Sequence, residues 1–187
     1  MKLKPFLLLL AIGISFNACK EDDPIPELPV ELITTLIMKF TPITSGNELT
    51  FTFQDTDGDG GNAPIITSEG NLSASTSYTV AIELLNESIT PTEDITEEIA
   101  GTEATEHQFF FQGTDGLELS FAYADEDENG KPIGLETLMT TGNPSTGTLR
   151  VTLRHRVDKE AVGVQFGDIT NAGGETDIEA DFDITIE

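Results

Sequence analysis

The chain is poor in basic residues, in histidine and in cysteine, and it has no tryptophan. Nine Lys and Arg face 34 Asp and Glu across 187 residues, for a formal charge of −25. Such a charge repels nucleic acid and anionic lipid, and favours cations or basic partners. The single cysteine, Cys19, excludes an intramolecular disulfide. Without tryptophan, the core must come from aliphatic residues and eleven Phe. There is no G-x-S-x-G elbow, no H-E-x-x-H, no P-loop and no cysteine in the body of the chain. Paired carboxylates abound, but in a chain this acidic their spacing carries no catalytic information, and an enzyme is not expected. The longest apolar run, Phe6 to Phe16, falls short of the ~20 residues that span a bilayer.

That run suits a different role. Lys2 and Lys4 precede it, as in the basic n-region of a signal peptide. Ser15-Phe16-Asn17-Ala18-Cys19 then resembles a lipobox, the site at which bacterial lipoprotein signal peptidase cuts before a lipidated cysteine. Residues 1–18 are therefore expected to be a lipoprotein signal peptide, with Cys19 carrying the lipid. Removing them leaves seven basic residues against 34 acids, a net of −27. Lys20-Glu21-Asp22-Asp23 resembles the export signal of Bacteroidota surface lipoproteins, which implies an outer-membrane anchor facing the cell exterior. Pro24, Pro26 and Pro29 make residues 19–31 a semi-rigid tether.

Period-2 alternation dominates the remaining 32–187 stretch, read as one domain. Leu49, Phe51 and Phe53 form one apolar face; Tyr78, Val80, Ile82 and Leu84 another. The pattern recurs at Leu117–Tyr123, Leu149–Leu153 and Ile178–Ile186. Less regular strands are expected near 32–41 and 107–112, and a helical turn within 93–100. Seven strands, each with one apolar face, predict an all-β fold: an antiparallel β-sandwich of immunoglobulin-like size. In the last strand Asp177, Glu179, Asp181 and Asp183 have outward parity. Arg150 and Arg154 have it in the strand before, so pairing of the two would balance charge. A weak internal repeat relates about 32–86 to about 106–156, with the last strand closing the fold.

The repeat carries the candidate sites. Asp55, Asp57 and Asp59 precede Gly60, and Asp125, Asp127 and Asn129 precede Gly130, at the spacing of calcium loops. The bidentate Glu of an EF-hand is missing from the first copy, so an open site in a β-scaffold is the expectation, with turn-forming Asp and Gly as the bland alternative. His107 and His155, the only histidines, with Glu106, Asp158, Glu175 and Asp177 available near them, invite a Zn²⁺ or haem site. If strands 107–112, 117–124 and 148–155 were successive neighbours, however, the two rings would lie at opposite ends of a sheet. Two separate strand-end histidines are therefore expected.

Five segments, Asp55–Pro64, Glu93–Glu98, Glu106–Phe111, Thr152–His155 and Ala172–Glu179, resemble a group of small Bacteroidota surface lipoproteins. Members sometimes carry the label of a type 1 periplasmic-binding fold, which is α/β; the alternating strands do not support it. The resemblance implies a lipid-anchored surface protein. The expected function is capture of a cation, a cationic ligand or a basic protein, and the resemblance implies association with a TonB-dependent outer-membrane transporter. The alternative is a structural or adhesive domain with calcium-rigidified loops.

Overall fold

Among the residues described by the computed structural model, 32–58, 61–114 and 116–187, ten strands form two antiparallel sheets. The leader, Cys19, the tether and Asp59 lie outside the described residues. The larger sheet has the order β3 (Ile65–Ser68), β2 (Leu49–Gln54), β1 (Thr35–Pro42), β4 (Ser77–Asn86), β8 (Glu136–Thr141), β7 (Leu119–Tyr123), and β5 (Glu93–Asp94) pairs with the end of β4. The smaller sheet is β10 (Glu175–Ile186), β9 (Ser145–His155), β6 (His107–Gly113). The helical turn is present as α1 (Thr96–Ala100), seated by buried Ile99. The fold is an all-β sandwich, as the alternation predicts, and all seven expected strands are present.

Three strands escape the alternation rule, each for a visible reason. Strand β3 is exposed along its whole length, so no face of it is selected for burial. Strand β5 is only two residues long. Strand β8 buries Thr137, Met139 and Thr141 and exposes Leu138, so its inner face is mostly hydroxyl-bearing.

The core is made by the facing apolar rows. Phe40 and Phe51 meet at 4.9 Å within the larger sheet, and Phe51 reaches Phe182 of the smaller sheet at 6.2 Å. Leu36, Met38, Phe109, Val151 and Leu153 are fully buried around them. Burial of each such side chain stabilises the fold by about 1.5–3 kcal/mol. Phe110 points the other way, out of the smaller sheet, yet it too is fully buried. Residues 156–174 fold over it, laying Val157, Val164 and Ala172 against the ring. Gln108 Nε2 pins this cover by donating to the Val164 carbonyl at 2.7 Å.

The last two strands pair as their charges require. Arg150 lies directly opposite Asp181 and donates to both its carboxylate oxygens at 2.7 Å. Arg154 does not join the acid ladder. It lies opposite Thr176 and donates to the carbonyls of Gly173 and Gly174.

Strand direction sorts the loops into two poles. Strands β2, β4 and β7 all run antiparallel to β1 or β8, so all three end at the pole where β1 begins. In the smaller sheet β6 starts, β9 ends and β10 starts at that same pole, tied there by Phe109 N–H donating to the Ile133 carbonyl. Segments 55–58, 61–64, 87–106, 124–135 and 156–174 therefore gather at one end of the sandwich. The two acidic repeat loops share it.

Candidate functional site

The two histidines are neighbours. The expectation that they sit at opposite ends of a sheet fails because β7 belongs to the other sheet, which leaves β6 to pair directly with β9. His107 lies opposite His155 in that pairing, and their rings stack with centroids 4.4 Å apart and planes 11° from parallel.

Three carboxylates surround the stack. Asp177 comes from β10, at the point where its register against β9 shifts between Thr176 and Ile178. A bulge of this kind re-aims a side chain. It turns Asp177 inward, against the outward parity read from the sequence, so that its side chain is only 4% exposed. Its oxygens lie 3.0 Å from His107 Nε2 and 4.0 Å from His155 Nδ1. Along the opposite ring edges stand two residues of the turn after α1. The Glu103 carboxylate is 3.5 Å from His107 Nδ1, and the Glu106 carboxylate is 3.2 Å from His155 Nε2. Gly174 closes the group from behind at φ +67°, where a Cβ would come within 2.0 Å of the His155 carbonyl.

His107 is 2% exposed, and both its nitrogens face acceptors: Asp177 on one side and the Glu103 carbonyl, at 3.1 Å, on the other. Both bonds can form at once only if both nitrogens carry a proton. Burial works against that charge, but the Asp177 and Glu103 contacts outweigh it and hold the imidazole above its ordinary pKa. The site thus stabilises positive charge at a buried position.

The acidic loops are arranged differently. In the second copy Asp125 accepts the backbone N–H groups of Gly134 and Glu136, and Asp127 Oδ1 accepts those of Asn129 and Lys131. Asp127 Oδ2 accepts from Lys159 Nζ at 2.9 Å, and the ammonium also donates to the Ala104 carbonyl. These donors keep the Asp127 carboxyl below its usual range although burial pushes it up. A lysine ammonium thus stands where the sequence pattern placed a calcium ion, and Asn129 contributes its backbone N–H to Asp127. In the first copy Asp55 Oδ1 accepts from Gly58 N–H and Asp57 Oδ2 from Asn62, around a shallow cleft of about 290 Å³.

Of the residues gathered at this pole, Glu103 is the one that sequence reasoning does not name; Asp177 is available there only as one of several carboxylates, and Lys159 only as a charge-balancing residue of the basic cluster. The inward turn of Asp177 is hidden by the bulge, the Glu103 contact by the irregular turn that brings it back over His107 four residues later, and the Lys159 contact by the 32 residues that separate it from Asp127. Comparison of the chain with known protein families, with curated proteins and with solved structures finds no match in any of the three. Among the described residues no helix is long and apolar enough to cross a membrane.

Proposed function

We propose that this chain is a lipid-anchored surface module that captures a cation, a cationic ligand or a basic partner at one pole of its sandwich. The observation that carries the reading is the gathering of both acidic repeat loops at the pole that also holds the buried histidine–carboxylate group. A field of one sign focused at one end steers oppositely charged ligands and speeds their association. The lipid at Cys19 and the outward-facing outer-membrane address rest on the leader and the acidic tetrad. A TonB-dependent transporter is the partner class that the resemblance implies. The adhesive alternative, with calcium-rigidified loops, draws less support, because Lys159 already neutralises one of the two loops.

Binding of a fluorescent oligolysine peptide tests the charge reading. Glu97→Gln, Glu126→Gln and Glu128→Gln together remove exposed acids from this pole. Glu48→Gln, Glu69→Gln and Asp183→Asn together remove as many from elsewhere. The first set is expected to weaken binding several-fold more than the second, and equal losses would refute a polar site. Intact-mass measurement of membrane-extracted protein checks the anchor: a mature N-terminus without acyl chains would remove it.

A further inference from the structure

We infer that the stacked histidines form a site for one late first-row divalent metal ion of the Zn²⁺ class, held by Glu103, His107 and His155 and oriented by Asp177. The inference deepens the proposed capture function by naming the class of cation, and it rests on that reading for its purpose but not for its chemistry.

The chain has two histidines in all, and the fold places them face to face. One ligand atom from each of Glu103, His107 and His155 lies within 4.8 Å of the others. The two edges of the ring stack differ in kind. On the buried edge Asp177 meets His107 Nε2 at 3.0 Å and faces His155 Nδ1. A carboxylate behind a ligating imidazole fixes its tautomer and raises its basicity. With Nε2–H donated to Asp177, His107 presents Nδ1 to the other edge. There Nδ1 and the Glu103 carboxylate are 3.5 Å apart, and His155 Nε2 and the Glu106 carboxylate are 3.2 Å apart. Ligands at Zn²⁺ bond lengths in a tetrahedron are separated by about 3.3 Å. The spacing of the ligand pair Glu103 and His107 is close to that value, and Glu106 stands beside His155 as a further carboxylate at the same edge. The glutamate edge is also the open one: the Glu106 side chain is 55% exposed, against 4% for Asp177.

Two changes are required, and the first is that the hydrogen bond between His107 Nδ1 and the Glu103 carbonyl, 3.1 Å long, must open. Second, nearly parallel rings aim their in-plane lone pairs side by side, so the imidazoles must tilt towards each other as the ion enters. His155 and Glu103 are only partly buried and can supply that movement, while His107 stays seated on Asp177. The ion replaces the proton on His107 Nδ1, so binding releases it to solvent. Imidazole donors select Zn²⁺, Cu²⁺, Ni²⁺ or Co²⁺ over Ca²⁺, which prefers oxygen alone. Bis-histidine haem ligation does not fit, because rings stacked face to face cannot place one iron between them.

Titration of the full mature domain with Co²⁺ as a spectroscopic stand-in tests the site. One equivalent is expected to give the visible d–d absorption of a low-coordinate nitrogen–oxygen site, and one equivalent of Zn²⁺ to abolish it. His155→Gln should weaken Co²⁺ binding at least tenfold while leaving the metal-free circular dichroism unchanged. Glu103→Gln should weaken it to a smaller degree, which covers the case in which the histidine variant folds poorly. Asp177→Asn should reduce affinity about 10–100-fold and shift the long-range ¹H–¹⁵N correlations of the His107 ring. No saturable absorption, or an absorption that both His155→Gln and Glu103→Gln leave intact, would overturn the inference. Oligolysine binding separates the two readings. Its survival without Co²⁺ binding sinks the metal site alone, and Co²⁺ binding without oligolysine binding sinks the basic-partner version alone.

Discussion

The buried pair between Lys159 and Asp127 should behave as one unit. Their side chains are 6% and 1% exposed, and the ammonium bridges the 124–135 loop to the Ala104 carbonyl. Asp127→Ala leaves the ammonium with Ala104 alone, and an uncompensated buried charge costs about 3–5 kcal/mol. Lys159→Met is milder. Asp127 keeps two backbone donors, from Asn129 and Lys131, so a loss of about 1–3 kcal/mol is expected. The double variant should recover part of the sum, with a coupling of about 0.5–3 kcal/mol. Urea unfolding of the four proteins measures this, and each kcal/mol should also lower Tm by about 2–4 °C in a chain of this size. The pH dependence has a definite sign. Asp127 has a folded pKa below its unfolded value of about 3.9, so its contribution is fully present above that value. It is lost as pH falls through the lower folded value, and the wild type should lose more stability there than Asp127→Ala. Single effects that add to within about 0.3 kcal/mol would show that the two charges do not depend on each other, and would refute the reasoning.

Phe110→Ala should cost about 3–5 kcal/mol and expose residues 156–174 to limited proteolysis, because that ring is what the segment covers. Gly174→Ala forces a Cβ to within 2.0 Å of the His155 carbonyl at a left-handed φ, so it should destabilise the fold and shift the His155 ring resonances. Arg150→Ala removes an exposed cross-strand pair and should cost only about 0.2–1 kcal/mol by urea unfolding, less in high salt. Phe166 is 91% exposed on the cover, and Phe166→Ser should change stability by no more than about 0.5 kcal/mol.

What the sequence made legible follows from how each signal works. Leu49-Thr-Phe-Thr-Phe and Ile178-Glu-Ala-Asp-Phe state their faces outright, since a half-buried strand selects every second residue. The Arg150–Asp181 contact was readable for the same reason: parity put both outside. Strand β8 was not, because threonines fill two of the three positions on its buried face. The histidine site failed on pairing order rather than on residue type. His107 and His155 both stood out, but chain order made β7 the natural neighbour of β6, and nothing local marks that β7 and β8 join the opposite sheet. Asp177 failed on parity, because a one-residue bulge reverses the faces up to that point and leaves no compositional trace. Lys159 meets Asp127 across 32 residues, beyond any local pattern.

The direction of β1 sets a working height. Its first residue, Thr35, lies opposite Leu85 and Gln54, at the pole that carries the histidines and the acidic loops. On the proposed anchoring at Cys19, the chain would enter the domain from that end, and a stretch the length of residues 20–31 spans at most about 40 Å when fully extended. An anchored molecule would therefore hold its charged end towards its own membrane, with the far end of the sandwich outermost. A ligand must then be small enough to diffuse into that gap, or must itself lie in the same membrane plane. A lateral neighbour meets the condition, and a surface on another cell does not.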